Sequence, residues 1–432
     1  MEINSYLLFF FLASAAVALF IERSRFTLLL VYFLLAGVYV EGDWVETFHD
    51  PMIQARWGAL LLITTVALIS VVLGRGKLER PNPFFLNFAP FLFCILISIS
   101  YSTNFKITFF KSLSVLLLLA SIYSLWNCQR LKLEAILNQY AKNLIFYSCL
   151  IIITNCAAAF FERAYFPRLN YFRGIFANPN TIGLLMGVFC IPVMTYAMIS
   201  KKSLIQKIFA LILWGVAVTM LWFSFSRAGV LSAVVGSLVF VSFSFKKRWI
   251  VLIFLVTLGF AGLIYEMRPQ YFQGFREEWV LKNRKPQEGV LSSRIEPWTQ
   301  SLSKAKSQLW AGYGFGMIAD YSENWESRFE SESMARPRGS SFVAIIEEVG
   351  LAGLSAFLII VIYLINPFRV LTLKTKVSKE EFQLILLFYS ITIAGFTNAL
   401  FEDWLLSVGW ISTLLFWHTA AASTGFGKLK HS

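Results

Sequence analysis

The sequence predicts an all-α polytopic membrane protein with about 12–13 transmembrane helices and one long extracytoplasmic loop containing short amphipathic helices. Three observations lead there. The 432 residues are 57% hydrophobic and only 15% charged, with 43 Phe, whereas a soluble protein carries about 25% charged residues. The mean hydropathy is +0.65. Runs of 16 to 20 apolar residues recur along most of the chain, and a bilayer core about 30 Å thick needs about 20 per helix. These runs do not alternate in hydrophobicity, as the strands of a membrane β-barrel would.

The segments fall at 5–21, 26–41, 57–74, 84–101, 108–126, 144–161, 181–199, 207–224, 228–245, 249–265, 341–365, 382–400 and 404–422. The first lacks a basic region before it and a small-residue cleavage site after it, so it reads as a mature helix rather than a signal peptide. Three portions result: a bundle of about ten helices over 1–265, a loop over 266–340, and a C-terminal group of helices over 341–432.

Charge orients them. Alternate connections carry Arg23 and Arg25; Arg75, Lys77 and Arg80; Arg130, Lys132 and Lys142; Lys201, Lys202 and Lys207; Lys246, Lys247 and Arg248; Arg369, Lys374, Lys376 and Lys379; and Lys428 and Lys430. The positive-inside rule assigns these to the cytoplasm, the N-terminus to the outside and the C-terminus to the inside. The net charge of +13 follows from this bias and requires no nucleic-acid partner.

The opposite side holds 162–180, the turn SFSRAG (224–229), the loop 266–340 and FEDW (401–404). The loop has eleven Lys or Arg, ten Asp or Glu and four Trp in 75 residues. A loop of that length in a compact protein is usually functional or a small domain. Within it, 295–317 spaces Ile295, Trp298, Leu302, Ala305 and Leu309 like one face of a helix, and GYGFG then stops it.

Several chemistries lack their residues. Cys94, Cys128, Cys149, Cys156 and Cys190 form no CxxC pair, and His49, His418 and His431 are scattered. His418 reads as a hydrogen-bonded packing residue. There is no Walker A or Rossmann fingerprint. Asp43, Asp50, Asp320 and Asp403 are the only aspartates and form no Asp-x-Asp pair, which disfavours a metal-dependent transferase acting on a nucleotide sugar. No cofactor and no metal is expected.

Arginines remain. Arg173 sits in FRGIFANPN, Arg227 in SFSRAG and Arg294 in SSRIEPW. Arginine at a helix mouth is costly without a partner. It either snorkels to headgroup phosphates or binds a phosphate through its planar bidentate fork. Three on one face, two of them beside glycine turns, favour a lipid-linked diphosphate. Gly174 allows a tight turn, Pro179 suits a first helical turn, Asn178 is a candidate N-cap, and Asn180 and Thr181 present polar atoms at the mouth. The helix start is then suited to an anion. Arg336 and Arg338, late in the long loop, join Asn178 and Asn180 as candidate substrate-binding groups.

The stretches FRGIFANPNTIGLL, SFSRAGVLS, SSRIEPWTQSLSKAKSQLWAGYGFG and SSFVAIIEEVGLAGLSAFL occur in this order. Together they resemble the bacterial O-antigen ligase and polymerase superfamily, over roughly 165–360. The resemblance implies a GT-C-like glycosyltransferase that needs no metal, in the bacterial inner membrane with its site facing the periplasm or outside. Its donor would be an undecaprenyl-diphosphate-linked oligosaccharide and its acceptor a glycan or lipid-glycan, with membrane lipids around it. The family's functional arginines fall on Arg173, Arg227 and Arg294.

The chain departs from the family at one point. Ligases of the family usually carry a His-Asn pair before the helix that follows the long loop, and here Gly339-Ser340-Ser341-Phe342 stands there. The carboxylates Glu347 and Glu348, or Glu402 and Asp403, are candidates for the base. Pairing of Glu347 or Glu348 with an arginine is the other reading, and both stay open. The sequence therefore favours a polysaccharide polymerase, with a ligase to lipid A-core or a transporter or flippase for an anionic lipid or solute as alternatives. No convincing internal repeat supports the transporter.

Overall fold

The structure is a computed structural model that describes residues 82–127, 133–166, 171–176, 178–199, 203–244, 292–317, 339–408 and 410–424, with a few positions between 61 and 72. The expected segments at 5–21, 26–41 and 249–265, most of 57–74, and Arg336 and Arg338 lie outside these residues.

Eleven helices order the described chain: α1 (Pro83–Tyr101), α2 (Phe105–Asn127), α3 (Leu133–Ala158), α4 (Pro179–Ile199), α5 (Leu204–Phe223), α6 (Arg227–Ser244), α7 (Ser292–Ala305), α8 (Ser341–Ile365), α9 (Pro367–Lys374), α10 (Lys379–Ala399) and α11 (Ile411–Ser423). Among the described residues, eight helices are long and apolar enough to cross a membrane, and two isolated bridges, Tyr165 with Phe172 and Val408 with Trp410, are the only β-pairing. The chain is an all-α polytopic membrane protein.

Local sequence sets the helix starts. Asn82 Oδ1 accepts the Phe84 N–H at 2.9 Å ahead of Pro83. Ser203 with Gln206, and Ser378 with Glu381, form reciprocal capping boxes on α5 and α10. The stripe Phe84, Phe88, Phe91 and Ile95 buries one face of α1. Phe84, Phe88, Phe357 and Phe396 ring Trp417 with centroids 5.3–6.4 Å away, in the edge-on geometry that aromatic quadrupoles favour.

Without hydrophobic drive between lipid-exposed helices, close backbone packing takes over. Gly183 and Gly187 on α4 lie directly against Ser226 and the Gly229 carbonyl, and Gly236 of α6 lies against Ala394 and the Ser390 carbonyl of α10. Residues Leu185–Cys190 of α4 are wound as a π-helix, just before Pro192, which cannot donate a helical hydrogen bond.

Hydrogen bonds fix the two ends of the bundle. At one end Arg369 caps the carbonyls of Ser423 and Leu364 at 2.7 and 3.1 Å, and Asn82 Nδ2 bonds Thr424 Oγ1 at 2.8 Å. At the other end meet the α1–α2 turn, the loops before α4 and α6, the end of the 292–317 segment and the loop after α10.

Three sequence expectations need correction. The segment expected at 404–422 is helical only over Ile411–Ser423, because residues 404–408 form a buried turn tied to the start of α8. The helix expected from 144 begins at Leu133, since its polar first turns lie outside the apolar run. The face expected on the loop helix is rotated. Trp298, Ser301 and Ala305 turn inward, while Ile295 and Leu302 are exposed.

Candidate functional site

Two clusters occupy the end of the bundle opposite Arg369. The first is built on the loop before α4. Gly174 has φ +62°, and a Cβ there would overlap the Asn155 side chain. The turn lets the Ile175 N–H reach Asn155 Oδ1 at 2.9 Å, while Asn155 is fully buried in α3. Arg173 is folded back and 8% exposed. Its Nε donates to the Arg163 carbonyl at 3.0 Å, and its own N–H donates to the Ala164 carbonyl at 2.8 Å. Asn178 caps α4 as expected, its Oδ1 accepting the Asn180 N–H at 2.8 Å, with Pro179 in the first turn. Asn178 is exposed, Asn180 half-buried and Thr181 buried.

The turn between α5 and α6 meets this loop. The Phe172 N–H donates to the Phe223 carbonyl at 2.9 Å, and the rings of Tyr171 and Phe225 stack at 4.5 Å and 24°. The turn itself is Ser224–Ser226, and Arg227 is the first residue of α6 rather than part of it. Arg173 and Arg227 are thus carried by segments that touch. α6 and α10 run antiparallel, crossing where Gly236 meets Ala394. From that crossing toward the end opposite Arg369, α6 reaches its first residue, Arg227, and α10 continues through Ala399 to Glu402, so Arg227 lies at a similar depth to the 401–404 loop.

That loop belongs to the second cluster. Arg294 of α7 makes an ion pair with Glu402. The Ser341 hydroxyl donates to the Glu402 carbonyl at 2.9 Å and accepts the N–H groups of Trp404 and Leu405 at 3.2 and 3.1 Å. Trp298 Nε1 donates to the Gly339 carbonyl at 3.1 Å. Gly339, at φ +61°, presses against the Arg294 side chain. Three pieces distant in sequence are therefore pinned around one guanidinium.

Deeper lies a break in α8. Gly350 has φ +69° and ψ −171°, which interrupts the helical ladder. The carbonyls of Glu347 and Glu348 lose their helical donors, and the N–H groups of Leu351 and Ala352 lose their acceptors. The 309–314 segment supplies all four. Tyr313 and Gly314 N–H donate to Glu347 and Glu348 at 3.0 and 2.9 Å, and Leu351 and Ala352 N–H donate to Leu309 and Trp310 at 2.9 and 3.3 Å. Broken helices are tolerated at membrane depth only where protein re-satisfies the backbone. Gly312, Gly314 and Gly316 all have positive φ, and the GYGFG stretch also grips the α1–α2 turn: Thr103 N–H donates to the Tyr313 carbonyl at 3.2 Å, and Phe315 N–H to Ser98 Oγ at 3.1 Å. The glycines thus serve a structural clasp.

Glu347 and Glu348 end the first half of α8 with 1% and 0% exposure, beside this clasp. Lys111 of α2 packs on Gly316 and adds a cation at the same end. Sequence reading missed Asn155, Ser341, Lys111 and the Tyr171–Phe225 pair. Only Asn155, a lone amide in an apolar run, left a trace.

Residues 208–358 match the family model described as O-Antigen ligase. The resemblance to the O-antigen ligase and polymerase superfamily holds over that stretch. No curated protein matches the chain. The O-antigen ligase match spans Arg227, Arg294, Glu347 and Glu348 and the clasp. Arg173 and Glu402 lie outside it, and the structure joins them to the matched part through the Phe172–Phe223 hydrogen bond and the Arg294–Glu402 pair.

Proposed function

We propose that the protein transfers a glycan from an undecaprenyl-diphosphate carrier to an acceptor sugar hydroxyl, in a bacterial plasma membrane with the arginine-bearing end facing outward. The observation that carries this reading is Arg294, held by Glu402 and Gly339 at the end of the bundle that also carries Arg173 and Arg227. The long loop, 266–340, supplies Arg294 between two helical portions of the chain, and Asn178 and Asn180 at the α4 mouth are offered as substrate-binding groups.

In this reading the acceptor oxygen attacks the anomeric carbon as the bond from that carbon to the diphosphate oxygen breaks. The electron pair leaves with the diphosphate, and the arginines stabilise that growing charge. The acceptor proton passes to a carboxylate, and Glu347 and Glu348 beside the clasp are the candidates. In-line attack inverts the anomeric carbon. The guanidiniums supply the positive charge that a divalent metal supplies elsewhere, so no metal is required.

The chain has serines where ligases of the family have His-Asn, which favours polymerisation. The matched family's description as ligase keeps transfer to lipid A-core as the second reading. Purified protein in vesicles, given an undecaprenyl-diphosphate-linked oligosaccharide, tests the proposal. Release of undecaprenyl diphosphate with a lengthened glycan is expected. Unchanged donor, or donor moved across the bilayer intact, would overturn it.

A further inference from the structure

Phe225 is, among the described residues, the only non-glycine residue with a positive φ, at +53°. The left-handed region is unfavourable for a residue with a Cβ, and for a bulky side chain it is an outlier that the surroundings must hold in place. Glycine or asparagine would occupy it with less strain. The turn is over-determined. Ser226 N–H donates to Ser224 Oγ at 3.2 Å, Gly229 N–H to Ser226 Oγ at 3.3 Å, and Phe225 N–H to the Trp222 carbonyl at 3.1 Å. Gly183 lies against Ser226 with no room for a Cβ.

What the strain achieves is the direction of the ring. The Phe225 ring stacks on Tyr171 at 4.5 Å. Tyr171 is two residues before Arg173, and Phe225 is two residues before Arg227. The backbone bond from Phe172 to Phe223 runs beside the stack. Local strain of this kind gathers where geometry matters more than stability.

Resting on the functional reading above, we propose that Phe225 is a positioning residue: its ring, held in a left-handed backbone conformation, staples the loop carrying Arg173 to the turn that opens on Arg227, and so sets the spacing of two guanidiniums for a polyprenyl diphosphate. The ring does not touch the reacting atoms. It acts through the arginines.

The test is binding of undecaprenyl diphosphate to the full chain in lipid nanodiscs, alongside thermal unfolding. Phe225→Gly removes both the strain and the ring. It should unfold no earlier than wild type yet bind about tenfold more weakly. Phe225→Tyr keeps the ring and should bind as wild type. Tyr171→Leu leaves the strained turn untouched and should reproduce the weakened binding, and Tyr171→Leu with Phe225→Gly should be no worse than either alone. Wild-type binding by Tyr171→Leu, or failure of Phe225→Tyr to retain binding, overturns the proposal. If Phe225→Gly does not fold, Tyr171→Leu decides alone. Wild-type protein that binds no undecaprenyl diphosphate also overturns it. Wild-type protein that binds the carrier but transfers no glycan overturns the functional reading and leaves the staple standing.

Discussion

Arg294 and Glu402 form an ion pair across 108 residues of sequence. One comes from the helix of the long loop and the other from the turn after α10. Side-chain exposures of 25% and 19% make the pair only partly desolvated, so its contribution to stability is modest. Its consequence is orientation. Gly339 walls the guanidinium on one side, and the Ser341 hydroxyl anchors the turn that presents Glu402.

Glu402 is therefore expected to hold Arg294 rather than to take the acceptor proton. Glu402→Gln keeps an acceptor for the guanidinium and should retain more transfer than Glu402→Ala. Arg294→Lys loses the fork and should cost about tenfold to a hundredfold, corresponding to roughly 1.5–3 kcal/mol for a charge-assisted hydrogen bond. Rates of undecaprenyl diphosphate release at equal protein levels measure this. Equal and complete loss in Glu402→Gln and Glu402→Ala would make Glu402 the proton acceptor instead.

The clasp at the α8 break gives a prediction about stability. A Cβ on Gly350 would overlap the Trp310 carbonyl, and one on Gly312 the Glu348 backbone, while both residues sit at positive φ. The backbone strain alone costs about 1–3 kcal/mol, and the clash adds to it. Gly350→Ala and Gly312→Ala should each lower the thermal unfolding temperature and the yield of folded protein. Gly215, in α5, has nothing within 4 Å of its Cβ position, so Gly215→Ala should be neutral or slightly stabilising. Unfolding temperatures that fail to separate Gly350→Ala from Gly215→Ala would remove the clasp as a stabilising element.

These features differ in how far the sequence revealed them. Most apolar spans were legible because a bilayer demands about twenty such residues, although the start of α3 and the start of α11 were not, and the α4 start was legible because Asn178, Pro179 and Gly174 each have a local role that is the same in any fold. The α8 break was not. Gly350 lies in an apolar run that reads as continuous helix, and the four hydrogen bonds made by Glu347, Glu348, Leu351 and Ala352 around it go to a segment some forty residues upstream. The facing of α7 was misread for a related reason. Ile295 and Leu302 look like a core stripe, but a helix at a membrane surface finds apolar surroundings on either side, so periodicity alone does not say which stripe faces protein. The pairing of Arg294 could not be read from spacing, since Glu402 belongs to another helix pair altogether.

Sidedness is testable with cysteine labels in a version lacking the five native cysteines. Ser307→Cys, at an exposed position just after α7, should react with an impermeant maleimide from outside intact cells, and Ser203→Cys, exposed at the start of α5, only after permeabilisation. Outside labelling of the Ser203→Cys protein would invert or break the topology.

Transfer should survive EDTA, because the proposed leaving-group charge is met by guanidiniums. Transfer lost on chelation and restored by magnesium or manganese would require a metal in the reaction.

The sharpest test of the site is Arg→Lys at Arg173 and Arg227. Lysine snorkels to headgroups as well as arginine does, so a pair of lipid-anchoring arginines would tolerate the change. Arg173, however, is 8% exposed and donates its Nε to the Arg163 carbonyl, so it is held inside the protein rather than extended toward headgroups. A lysine has a single ammonium and cannot bond that carbonyl and a phosphate oxygen in the same two directions. Arg227 opens α6, where the helix N-terminus favours an anion, so in the proposed reading the diphosphate would meet both the guanidinium and the helix end. Each Arg→Lys should slow transfer about tenfold to a hundredfold, and each Arg→Ala at least as much, with unfolding temperatures near wild type. Glycan length and yield in cells with matched membrane levels of each variant provide the measurement. Wild-type product from both lysine variants would take Arg173 and Arg227 out of the diphosphate site and leave the loop before α4 as a well-capped helix start.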